Sequence, residues 1–224
     1  MSEHFVRKGA PVCLASCLVI FLIAAGVASG QNTLLLDAGS GNIRTGDGFS
    51  LGTTFTVGST NEFVFALGVW DGPNGGNGMI GDGLQSSIPV GLFDSSGTLL
   101  VSITIPSGTS ATLLNGFRYM PIAPIDLLSG DTYTLAAYYS MSDSDVLHDQ
   151  GGSPTTSSDF NNYLGAFTGS NMVGSLSFPT GHTNGTAYVG PNFRYTGVPE
   201  PATSLLMLSG LSVLAARALR YRRS

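Results

Sequence analysis

Charge is scarce in this 224-residue chain. Only 10% of its residues are Asp, Glu, Lys or Arg, against about 25% in ordinary soluble proteins. Lysine occurs once, at Lys8, and the nine cations sit mainly at the two ends of the chain. Nucleic-acid binding needs a basic surface to displace counterions from phosphates, so that class is excluded. Cysteine is confined to Cys13 and Cys17. From Gln31 onward there is therefore no disulfide frame, no thiolate nucleophile and no cysteine metal site. Beyond the first thirty residues histidine occurs only at His148 and His182, too few for a catalytic zinc, which usually takes three protein ligands. Between Gln31 and Gly197 no window of eleven residues carries a helical apolar stripe, and the chain has a single lysine, which disfavours a bundle or coiled coil. In their place the chain is rich in 31 Gly, 27 Ser and 20 Thr, together 78 of 224 residues.

The two ends differ from the middle. Arg7 and Lys8 precede an uncharged, mostly apolar stretch over residues 10–28, which ends in Gly26-Val27-Ala28-Ser29-Gly30. This is the order of a secretory signal over residues 1–30, with cleavage after Ala28 or Gly30. The competing reading is an uncleaved anchor, since the stretch nearly spans a bilayer. Leu14-Ala15-Ser16-Cys17 imitates a lipoprotein box, but cleavage there would leave apolar residues 18–27 on the mature chain. Export by this route makes the Sec translocon and signal peptidase the first expected partners.

Residues 198–224 open with Val198-Pro199-Glu200-Pro201, continue through uncharged residues 202–216, and end with Arg217, Arg220, Arg222 and Arg223. Fifteen uncharged residues are short for a spanning helix, but arginine stems snorkel and extend the reach. The arginine cluster marks the cytoplasmic side. The expected orientation is domain outside and tail inside. The two prolines keep the approach extended and open to a protease.

This succession of Pro-Glu-Pro, short apolar helix and arginine cluster resembles the PEP-CTERM sorting signal of Gram-negative bacteria. The resemblance implies recognition by an exosortase-type membrane protease, removal of the helix, and passage to the cell surface or the exopolysaccharide matrix. A plain membrane anchor would explain the helix and arginines but not Pro-Glu-Pro.

Residues 31–197 alternate short apolar runs with turn residues, the pattern of an all-β domain. Candidate strands cover residues 34–37, 53–57, 62–70, 88–93, 98–105, 116–122, 132–139 and 186–195. Asp94-Ser-Ser-Gly97 reads as a hairpin turn closed by a glycine at positive φ. In the run 132–139, Tyr133, Leu135, Ala137 and Tyr139 share one face. Pro121 and Pro124 are expected to mark a strand end or sheet edge. About 165 residues suffice for a core without disulfides, since a domain that size buries roughly 70% of its unfolded surface. The body also resembles an all-β domain of unknown function common in sorting-tagged bacterial proteins, through Phe65-Ala-Leu-Gly-Val-Trp70, Val90-Gly-Leu-Phe-Asp94, Phe117-Arg-Tyr119, Gly130-Asp-Thr-Tyr-Thr134 and Pro191-Asn-Phe-Arg-Tyr195. That resemblance implies no activity. The expected fold is thus an antiparallel β-sandwich, jelly-roll-like, flanked by an N-terminal signal helix and a C-terminal transmembrane helix.

Motifs for chemistry are few. Gly76-Asn-Gly78-Met-Ile-Gly81 matches a dinucleotide pattern but lacks the following helix that would hold a pyrophosphate. Gly48-Phe-Ser50-Leu-Gly52 matches a hydrolase elbow but leads into a strand, with the two histidines placed in polar loops. Residues 31–197 hold twelve acids, eleven of them Asp, against Arg44, Arg118 and Arg194. Aspartates in loops usually cap turns. Asp71, Asn74, Asn77 and Asp82 nevertheless offer four oxygen side chains in twelve residues, a candidate calcium site. Asp143, Asp145 and Asp149 form a second. Trp70 is the leading candidate for a sugar-stacking platform, with Tyr119, Tyr138, Tyr139 and Tyr163 behind it. A glycosidase needs two facing carboxylates, and no pair is visible. The expectation is a non-enzymatic, exported surface or matrix protein with a structural or adhesive role and no obligatory cofactor. A calcium-dependent carbohydrate-binding module is the alternative, and a polysaccharide hydrolase the remote one.

Overall fold

The structure, a computed structural model, describes residues 32–39, 42–44, 48–73, 78–141, 147–149, 154–168, 174–184 and 188–197. The two terminal helices expected from the sequence lie outside the described residues. Every regular element among the described residues is a strand. In chain order these are β1 (Asn32–Thr33), β2 (Asn42–Arg44), β3 (Phe49–Val57), β4 (Glu62–Trp70), β5 (Ile88–Asp94), β6 (Leu99–Ile105), β7 (Thr112–Leu114), β8 (Phe117–Leu127), β9 (Thr132–Tyr139), β10 (Leu147–Asp149), β11 (Phe160–Phe167), β12 (Gly181–Asn184), β13 (Tyr188–Val189) and β14 (Pro191–Gly197).

Two antiparallel sheets dominate, with strand orders β1-β14-β4-β8-β7 and β12-β11-β3-β9-β5-β6, and a small third sheet runs β13-β10-β2. Aromatic side chains from the two large sheets meet. Phe55 on β3 lies 5.4 Å from Phe193 on β14, and Phe160 on β11 lies 4.9 Å from Tyr195, ring centre to ring centre. The first pair is tilted and the second edge-to-face, and aromatic pairs of this kind add about 0.5–1.5 kcal/mol each to the burial itself. Leu51, Val90, Leu92, Leu135, Leu67 and Val69 complete the shared core. The arrangement is consistent with a β-sandwich.

Alternation explains the central strands. Tyr133, Leu135, Ala137 and Tyr139 all enter the core, as their common face requires. The opposite face pairs hydroxyls, Thr54 with Thr134 at 2.9 Å and Thr56 with Thr132 at 3.2 Å. That face is also covered. The Ser177 N–H donates to Ser50 Oγ at 2.9 Å, and Phe178 lies 5.6 Å from Phe93. The β5–β6 turn forms as expected. Asp94 Oδ1 accepts the N–H groups of Ser96 and Thr98, both at 2.9 Å, and Gly97 has φ 88°.

Several boundaries differ from expectation. The run 34–37 is not a ladder strand. Leu34 bonds to Phe193 and Leu36 to Thr155 by single backbone bonds, beside a lone bridge from Leu35 to Thr156. The run 116–122 continues as β8 to Leu127, through both prolines. Its register against β4 slips between Ala66↔Pro121 and Val64↔Ile125, and this bulge accommodates residues that cannot complete a ladder. The run 186–195 divides into β13 and β14, which join different sheets. The polar strand β11, Phe-Asn-Asn-Tyr-Leu-Gly-Ala-Phe, has no clear alternation and was not anticipated.

Candidate functional site

The first candidate cluster closes one corner of the domain. Asp71 follows directly on β4, and its carboxylate is buried against Arg118 of β8, with Nε to Oδ2 at 2.6 Å. Arg118 Nη1 donates to the carbonyls of Thr109 and Ala111, each at 3.0 Å, and Nη2 to that of Gly81 at 2.8 Å. The Gly83 N–H donates to Asp71 Oδ1 and Oδ2 at 3.2 and 3.1 Å. Burial pushes the Asp71 carboxyl above the usual range, and Arg118 pulls it back. Asp82 instead accepts the Met79 N–H at 3.1 Å. Asn74 and Asn77 lie outside the described residues. The carboxylate expected to ligate calcium thus already serves an arginine and a backbone amide. Among the described residues no three His, Cys, Asp or Glu side chains come together as a metal group would need.

The expected sugar platform at Trp70 meets a buried ring, only 2% exposed, within the core. Tyr119 and Tyr139 are buried too, while Tyr138 and Tyr163 are half-buried. Above Tyr119, the Arg194 guanidinium stacks 6.0 Å from its ring centre and 5.3 Å from that of Phe65. Ser50 lies within β3, buried, rather than on an exposed strand-to-helix elbow. Both histidines, expected in loops, fall on short strands, His148 on β10 and His182 on β12. Asp143 and Asp145 lie outside the described residues, as do Val198, Pro199, Glu200, Pro201 and the four terminal arginines.

A second polar cluster, not foreseen, sits where the last strand ends. Tyr195 of β14 donates to Asp159 Oδ2 at 2.7 Å and shares a short hydrogen bond with Ser157 Oγ. The Tyr163 hydroxyl donates to the Ser157 carbonyl at 3.0 Å. Burial pushes the Tyr163 hydroxyl up to about 12 and raises that of Tyr195 as well. Glu62 opens β4 and pairs with Gly197, the last residue of β14. Its Oε1 accepts the Thr60 hydroxyl at 2.9 Å, whereas Oε2 is buried without a hydrogen-bond partner. Burial raises the Glu62 carboxyl above its ordinary range, the Thr60 bond offsets part of this, and the negative charge of Asp159 adds to it. The available signal was that Glu62 is the single glutamate in residues 31–197. The influence of the Asp159 charge, 97 residues away in sequence, comes from the tertiary fold and was not legible.

These features define an all-β, two-sheet domain in which Asp71, Arg118, Asp159 and Tyr195 bond to the domain itself, and whose final strand ends at Gly197. Residues 197–223 match the PEP-CTERM protein-sorting motif, so the chain carries that motif at the end of β14. The motif supports an exported protein processed by exosortase, a membrane protease, with transient membrane anchoring before cell-surface display. No curated protein matches the sequence. One solved chain, described as "Structure of infectious bursal disease virus Gx strain", aligns over 85% of this chain and 46% of its own, with 14% identity and a TM-score of 0.19. The chain thus spans under half the length of that viral protein, and so low a score carries no argument.

Proposed function

We propose that the domain is a structural or adhesive component of the cell surface or exopolysaccharide matrix, delivered by its N-terminal signal and released through exosortase processing of residues 197–223. It acts without catalysis and without an obligatory cofactor. The observation that carries this reading is the sorting motif joined directly to β14, so that the folded body is the cargo. Supporting it, Asp71, Arg118, Asp94 and Ser50 all bond within the domain, and Trp70 is buried. Repeated crossing of the chain between the large sheets, from β3 to β4 to β5 and from β8 to β9, supports a jelly-roll-like sandwich as the architecture of that cargo. Mass spectrometry of the protein recovered from the cell surface tests the reading. The surface form should lack Arg217, Arg220, Arg222 and Arg223, and Glu200→Ala with Pro201→Ala should retain them in a membrane-bound form. Finding the arginine cluster intact on the surface form would overturn it.

A further inference from the structure

Six strands end a sheet among the described residues. Five are short: β1 and β13 have two residues, β2 and β7 three, and β12 four. The long β8 loses its β7 neighbour after Tyr119 and there carries Pro121, Pro124 and Asp126, the proline and charge with which sheet edges resist pairing. The sixth, β6, has none of these protections. It has seven residues, pairs with β5 on one side, and has no strand on the other among the described residues. Its sequence, Leu-Leu-Val-Ser-Ile-Thr-Ile, contains neither proline nor charge. A register slip at Leu100 is confined to its start, and residues 101–105 pair regularly with residues 88–92. Leu99 and Leu100 are 46% and 41% exposed. Ser102 and Thr104 are exposed as well.

The charge pattern selects the partner. Residues 95–117 contain no charged side chain, although residues 31–197 hold twelve acids against three arginines. Two copies of such an acidic domain repel over most of their surfaces. A neutral edge is where like-charged copies approach at least cost. A charged partner gains no complementary charge there. A second β6 supplies free backbone groups and β-branched side chains suited to strand addition.

We propose that β6 pairs antiparallel with β6 of a second copy of this chain, joining two six-stranded sheets into one continuous sheet. A two-fold axis near Ser102 sets Val101 opposite Ile103 and Leu100 opposite Thr104, and holds the two Ser102 side chains together. The proposal rests on the strand edge and not on the sorting motif or the matrix role, so either can fail alone.

Engineered cysteines in the full-length chain, in a Cys13→Ser/Cys17→Ser background, provide the test. Under mild oxidation Ser102→Cys should form disulfide-linked homodimers at least about ten-fold faster than Ser129→Cys in the distant β8–β9 turn, because pairing raises the local thiol concentration. Adding Thr104→Lys, the charge that natural edges use, should return the rate to that of Ser129→Cys while Trp70 fluorescence stays native. Equal rates for the two cysteines would overturn the proposal. So would a Ser102→Cys rate indifferent to Thr104→Lys, or cross-links formed only to other proteins. If Thr104→Lys unfolds the chain, the comparison of the two cysteines still decides.

Discussion

Replacing Arg118 with methionine tests the corner that ties the end of β4 to β8. The substitution keeps much of the aliphatic stem and removes four donor contacts, to Asp71 Oδ2 and to the carbonyls of Thr109, Ala111 and Gly81. Asp71 is 1% exposed and retains only the Gly83 N–H on its carboxylate among these partners. Stripping one member from a buried pair leaves an uncompensated charge and costs about 3–5 kcal/mol. For a chain of this size that corresponds to a fall in Tm of roughly 6–20 °C. Trp70, the single tryptophan, precedes Asp71 in sequence and reports the transition by its own fluorescence. Urea denaturation should show the lost stability as a lower midpoint with little change in slope. Adding Asp71→Leu to Arg118→Met removes the stranded charge but not the three orphaned carbonyls. The double variant should therefore recover part of the loss, with a coupling of about 0.5–3 kcal/mol. A single-variant cost below about 1 kcal/mol, or strict additivity in the double variant, would refute the account of a buried, mutually dependent pair.

Two further outcomes follow from the buried positions. The raised carboxyl of Glu62 holds its proton more tightly folded than unfolded. Its contribution is full below the ordinary value of 4.5 and is lost as pH rises through the folded value. Glu62→Gln should therefore gain stability relative to the natural chain on passing from acid to neutral pH in thermal melts, and an offset independent of pH would count against the assignment. Gly52 sits in β3 against β9, where an added methyl would overlap the Leu135 carbonyl oxygen and lie 2.8 Å from Ala136 Cα. Gly52→Ala should cost about 1–3 kcal/mol by overpacking between backbones that cannot part. A melting temperature equal to that of the natural chain would show that the strands separate more easily than the register implies.

The body's all-β character was legible because period-2 alternation is a local property. Residues 132–139 alternate, residues 62–70 form a short β-prone apolar run, and both form strands with the expected bounds. The Asp94–Gly97 turn was legible for the same reason, since an aspartate cap and a positive φ act within four residues. The sorting motif is a linear signal and needed no fold to be recognised. β11 was not legible because the consecutive Asn161 and Asn162 and the apolar Leu164 are all exposed, which breaks any period-2 pattern, and its register slips between Asn161 and Leu164. Its strand character comes from β3 and β12 on either side. The short strands of the third sheet carry too few residues for any period.

The sequence by itself determined the address, the lack of cysteine from Gln31 onward and the class of fold, since each depends on composition or on neighbours along the chain. Only the tertiary structure decided the roles of particular side chains. It turned Trp70 from a sugar platform into a core residue and joined Asp71 to Arg118 across 47 positions. It also set the buried Glu62 carboxylate, whose Oε1 is bonded to Thr60 and whose Oε2 has no hydrogen-bond partner, on the strand residue paired with the position where the sorting motif begins. Burial and pairing are properties of the space between sheets, and sequence order does not encode which chemistry-bearing residues will share it.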